Sequence, residues 1–134
     1  MLDTNTVSNL LHQRPGFAGI VAGLAGRTYG RVLISSITLS ELYTMAAKAA
    51  NPDHKRRALA AVVARFPVPA FDAKAAWHAG EIRAALEPRG QRIGPMDTLI
   101  AAHARSVNAT VVTDNVDEFS RVPALRVENW FARP

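Results

Sequence analysis

Thr110-Val111-Val112-Thr113-Asp114-Asn115 is a short unbroken run of β-branched residues that ends on an acid and an amide. Such a run lacks the polar alternation of a half-exposed strand and fits one covered on both faces. Similar segments recur from the start to Asp3, from Arg31 to Ser35, from Val68 to Phe71 and from Leu125 to Glu128. Continuous apolar strands alternating with helices predict an α/β fold. It is expected to be doubly wound, with a mostly parallel sheet of four to five strands flanked by helices.

The helices fill the gaps. Thr4 to His12 reads as the first, and Pro15, a good first-turn residue, opens a second to about Ala25. From Ser36 to Ala50, the residues Leu39, Leu42, Tyr43 and Ala46 fall at i, i+3, i+4 and i+7, one face of a helix. Pro52 begins the next, through Phe66. Asp72 caps another that runs to Leu86, where Pro88-Arg89-Gly90 breaks it. Gly94-Pro95 then opens a helix to about Val107. No repeat, linker or low-complexity tract divides the chain, so residues 1–134 are expected to form one domain.

A chain of 134 residues buries about two thirds of its unfolded surface, enough for a real core. Apolar residues make up 49% and charged residues 20%, which is ordinary for a globular protein and too apolar for disorder. The 16 Lys and Arg against 11 Asp and Glu leave a formal +5, a field that draws in nucleic acid or simply aids solubility. With no cysteine, disulfide scaffolding, thiolate zinc sites and thiol catalysis are excluded. Met1-Leu2-Asp3 has neither the basic nor the apolar region of a signal peptide. No run approaches the ~18 apolar residues of a membrane span, so a cytoplasmic protein is expected.

Four acids stand where a strand hands over to a helix, or in a helix's first turns: Asp3, Glu41, Asp97 and Asp114. The carboxyl ends of the strands in an open parallel sheet share one crevice, so acids far apart in sequence can meet there. Each has a plainer reading. Asp3-Thr4-Asn5 is also an N-cap cluster, Asp97 also compensates a helix dipole, and Asp114-Asn115 also makes a turn. Asp117 and Glu118 read as solvated caps of a short helix. Glu41 is harder to dismiss, because it lies near an apolar stripe where an unpaired carboxylate is costly. Taken jointly, the four predict an acidic pocket. Gathered carboxylates repel one another unless a hard cation such as Mg²⁺ or Mn²⁺ sits between them.

Other chemistry finds little support. His12, His54, His78 and His103 show no metal-ligand spacing and read as packed or exposed side chains. There is no glycine-rich nucleotide loop. Lys55-Arg56-Arg57 is a solvated helix face, with nucleic-acid contact as the sharper option.

The blocks Met1-Leu2-Asp3-Thr4-Asn5, Ile34 to Glu41, Gly94 to Ala101 and Val112-Thr113-Asp114-Asn115 together resemble the PIN-domain ribonucleases. More narrowly, they resemble the VapC-type toxins of type II toxin–antitoxin pairs. The ending Glu118-Phe119 and Leu125 to Trp130 is similar as well. The resemblance covers nearly the whole chain. It implies a PIN-like fold and a Mg²⁺- or Mn²⁺-dependent endoribonuclease, held inactive by a VapB-type antitoxin and often dimeric. Asp3 and Asp97 match the family's main metal ligands, Glu41 and Asp114 its other pocket acids, and Asn5 and Thr113 resemble supporting polar residues. The stretch Arg92 to Asp97 and the tail look like the subgroup that cleaves initiator tRNA, which implies a tRNA substrate. Only two residues precede Asp3, which implies an unusually short first strand or a start further upstream.

Two rivals stand beside this reading. A catalytically silent PIN-like module would bind RNA or a partner without turnover, although such domains tend to lose the acids that are intact here. A phosphorelay receiver is also α/β with an acidic pocket. It needs adjacent acids after its first strand and a late Lys, whereas Thr4-Asn5 follows Asp3 and no Lys lies beyond Lys74.

Overall fold

The computed structural model describes residues 1–28 and 30–131. The helices are α1 (Thr4–His12), α2 (Phe17–Leu24), α3 (Ser36–Ala47), α4 (Pro52–Val63), α5 (Ala73–Leu86), α6 (Pro95–Ser106) and the short α7 (Val116–Phe119). A 3₁₀ turn, Glu87–Arg89, follows α5. Strands β1 (Val111–Val112) and β2 (Val127–Glu128) pair in parallel, with Val111 opposite Val127 and Val112 opposite Glu128.

The sequence predicts four to five strands; among the described residues, regular pairing is confined to β1 and β2. The other segments make single contacts. Leu2 forms parallel bridges to both Ile34 and Val112. Backbone N–H groups of Leu2 and Ile34 donate to the carbonyls of Leu33 (2.8 Å) and Pro67 (3.0 Å). The reason is local: helix caps cut the strands short. Asp3 already accepts from the Thr6 N–H as N-cap of α1, and Ser35 from the Ile37 N–H as N-cap of α3. Each extended segment therefore ends one residue after its bridge. The expected strand at 68–71 is likewise absent as regular structure, since the Phe71 N–H donates to the Ser36 hydroxyl at 3.1 Å.

The side chains still sort as on a sheet covered twice. Successive residues of a strand point to opposite faces. Met1 and Val111 enter one buried cluster, with Ile82 and Leu86 of α5, Ile100 and Ala104 of α6, and Phe119. Leu2 and Val112 enter the other, with Val7, Ile20, Leu42 and Leu59 of α1 to α4 and with Trp130. Helices thus cover both faces, and each large buried apolar side chain contributes roughly 1.5–3 kcal/mol. The second cluster is tight around Trp130: an added Cβ at Gly23 would lie 2.4 Å from its ring.

Candidate active site

All strand-like segments end on the same side, and the acids gather there. Asp3 is buried, and its position is fixed from three directions. Oδ1 accepts from the Thr6 N–H (2.8 Å) and the Thr6 hydroxyl (2.7 Å), and Oδ2 accepts from the Thr113 hydroxyl. Its own N–H donates to the Val112 carbonyl at 3.1 Å, which ties the acid to β1. Burial pushes its carboxyl above the ordinary range, the bonds from Thr113 and Thr6 pull it back, and the Asp114 charge adds to the rise.

Asp97 lies in the first turn of α6, reached through Gly94 and Pro95. Its pKa is pushed up to about 6, first by burial, then by the charges of Asp3, Glu118 and Glu41. Those three acids come from separate parts of the chain, and all of them lie near enough to Asp97 for their charge to act on it. Glu41, half-buried on α3, accepts from the Thr4 hydroxyl at 2.6 Å, which links α3 to α1. Asp114 is more peripheral. It is exposed and accepts from the Asn5 amide at 3.3 Å, and it reaches the crevice through its charge on Asp3.

Thr113 and Asn115 organise the floor. The buried Thr113 hydroxyl donates to Asp3 while accepting from the Asn115 N–H at 2.9 Å. The Asn115 amide then donates to Asp97 Oδ2 (3.4 Å) and to Glu118 Oε2 (3.0 Å). Glu118 corrects the expectation of a merely solvated cap: it faces Asp97 from the first turn of α7. The sequence carries no signal for this, because an acid in the first turn of so short a helix reads the same whether it meets water or another acid. The histidines stay outside. His103 is buried, with Nδ1 at 2.7 Å from the Ser35 hydroxyl and its ring edge-on to Phe71.

The crevice offers only oxygen donors, which suits a hard divalent cation. Among the described residues no three acidic or histidine side chains close into a ready-made metal cage. Each carboxylate oxygen has two lone pairs, so Asp3 Oδ2, which accepts one hydroxyl, keeps one for an ion.

The PIN domain family matches residues 1–125. The tRNA(fMet)-specific endonuclease VapC of Shigella flexneri is 40% identical over 130 residues, 97% of this chain and 96% of that protein. Ribonuclease VapC2 of Haemophilus influenzae is 38% identical over the same length and shares. Among solved structures, VapBC2 from Rickettsia felis bound to a DNA fragment from its promoter superposes with a TM-score of 0.87. That similarity carries 36% identity and covers 97% of each chain.

Proposed function

This chain belongs to the PIN-domain family, and from that premise we infer that it is a VapC-type endoribonuclease, the toxin of a toxin–antitoxin pair. The observation that carries the reading is the hydrogen-bonded set of acids, with Thr113 on Asp3, Asn115 on both Asp97 and Glu118, and Thr4 on Glu41. Burial, and then the charges of Asp3, Glu118 and Glu41, push the Asp97 carboxyl up in keeping with it. Acids held in mutual repulsion cost stability, and a divalent cation turns that cost into binding energy. Asp3 and Asp97 would hold Mg²⁺ or Mn²⁺. A bound ion of this kind lowers the pKa of its water and neutralises charge on a phosphodiester under attack.

The chain's own residues do the placing. Thr6 and Thr113 fix the Asp3 carboxylate, and the lone pair left on Oδ2 would go to the ion. Asn115 holds Asp97 and Glu118 at one spacing, and Thr4 holds Glu41. Glu41 and Glu118 would accept the proton of the attacking water, and Asp114 with Asn5 would close the exposed rim. We take tRNA, initiator tRNA first, as the substrate, by the name of the Shigella flexneri relative. The bridges put the Leu2 segment between Ile34 and β1, and the Leu2 and Ile34 segments are read as further short strands of the expected four- to five-stranded sheet.

A VapB-type antitoxin is the partner, as in the Rickettsia felis complex. An apolar groove between α1, α3 and α4, with Leu11, Leu42, Met45 and Leu59 on its walls, suits an antitoxin helix. A homodimer and a cytoplasmic location complete the proposal. No helix among the described residues is long and apolar enough to cross a membrane.

Cleavage of an initiator tRNA transcript tests the reading. Wild-type protein is expected to cut only with Mg²⁺ or Mn²⁺ and to stop on chelation. Asp3→Asn and Asp97→Asn are expected to be inactive while still folded. RNA binding without turnover under either ion would favour the silent module instead.

A further inference from the structure

Beside the acids lies a concavity of about 550 Å³ that the reaction as described leaves unused. Gly94 and Thr98 belong to its wall, and a Cβ at Gly94 would sit 3.7 Å from Asp97 Oδ2. The hollow therefore adjoins the crevice directly. Ile93, Pro95 and Leu99 give it an apolar floor, and Arg83 and Arg92 stand on its rim. Arg83 is engaged, because its Nε donates to Glu87 at 3.0 Å, and that contact also neutralises the one acid of the rim. Arg92 differs: its exposed guanidinium has no hydrogen-bond or ion-pair partner among the described residues. Its backbone is nevertheless held, since the Arg121 guanidinium donates to the Arg92 carbonyl at 3.3 Å from the turn after α7. A free cation on an anchored loop, beside acids that would repel a bare phosphate, is a place for the anionic backbone of a substrate.

We propose that this hollow seats a ribonucleotide flanking the scissile bond, with the Arg92 guanidinium on its phosphate and its base against Ile93, Pro95 and Leu99. The volume falls within the range of small-ligand sites, and an apolar floor with one placed charge is their usual make-up. A guanidinium binds phosphate through paired N–H donors, so this contact orients the strand as well as attracting it. The proposal rests on the ribonuclease reading for the identity of the strand. It makes Arg92 a positioning residue that acts on substrate binding and not on the bond-breaking step.

The test is fluorescence anisotropy of a labelled single-stranded RNA oligonucleotide at rising KCl, with cleavage of initiator tRNA measured in parallel. Arg92→Ala is expected to weaken binding roughly 5- to 10-fold at low salt and to flatten the log–log salt slope by about 0.7, one phosphate's worth. Arg92→Lys is expected to restore most of the slope, since the charge returns. In cleavage, KM is expected to rise by the same factor with kcat within about twofold of wild type. Binding and slope unchanged in Arg92→Ala, or a loss of kcat alone, overturn the subsite. A wild-type protein that binds but never cleaves defeats the ribonuclease reading, and the salt slope still decides Arg92.

Discussion

Asp97 bears most directly on the chemistry, because burial first, and then the charges of its neighbours, set its affinity for a proton. Its folded-state pKa, about 6, lies above the ordinary 3.8, so folding favours the protonated form. The stability this gives is fully present below 3.8 and is lost as pH rises through about 6. Metal-free Asp97→Asn is therefore expected to melt several degrees higher than wild type at neutral pH, with the gain vanishing in acid. Thermal melts across pH check this; a variant less stable than wild type at neutral pH would contradict it. The same variant is expected to lose more activity than the roughly 10–100-fold typical of supporting partners. Thr113 is such a partner. Thr113→Val removes the hydroxyl that fixes Asp3 Oδ2, and is expected to raise the Mg²⁺ concentration for half-maximal cleavage about 10–100-fold. Thr113→Ser, which keeps the donor, is expected to stay near wild type, and equal losses in both variants would remove the hydroxyl from the account.

Packing between elements leaves little slack where α2 meets the end of the chain. Gly23→Ala would place a methyl 2.4 Å from the buried Trp130 ring, so helix or ring must move. Urea unfolding is expected to show a loss of about 1–3 kcal/mol, and an unchanged midpoint would mean that the contact yields freely. Legibility in the sequence was uneven at this scale. Helices α1, α5 and α6 follow their caps and apolar spacing closely, because Asp3, Asp72 and Pro95 start them by local chemistry. The strands were read too long, since Asp3 and Ser35 serve the next helix and leave each strand one bridged residue, Leu2 or Ile34. Asp3, Glu41, Asp97 and Asp114 were legible as acids at strand-to-helix switches. Asn115 and Glu118 were not, because a cap on a four-residue helix looks the same whether it faces water or another acid.

Over the whole molecule, charge and surface divide the work. Acids that crowd the crevice leave the rest of a +5 chain more basic than its total suggests, which favours capture of RNA. The groove proposed for the antitoxin lies elsewhere, on α1, α3 and α4, where Met45 is 45% exposed at its edge. Met45→Asp is expected to weaken co-purification with the VapB-type partner at least about tenfold, the loss of one good anchor, and to leave tRNA cleavage unchanged. Retained co-purification would move the partner off this groove. The account depends above all on Asp3 and Asp97, far apart in the chain, sharing one divalent ion. An anomalous difference map from crystals grown with Mn²⁺ tests that directly. The expected result is a single strong peak bonded to carboxylate oxygens of both residues; a peak touching only one of them, or none in the crevice, would contradict it.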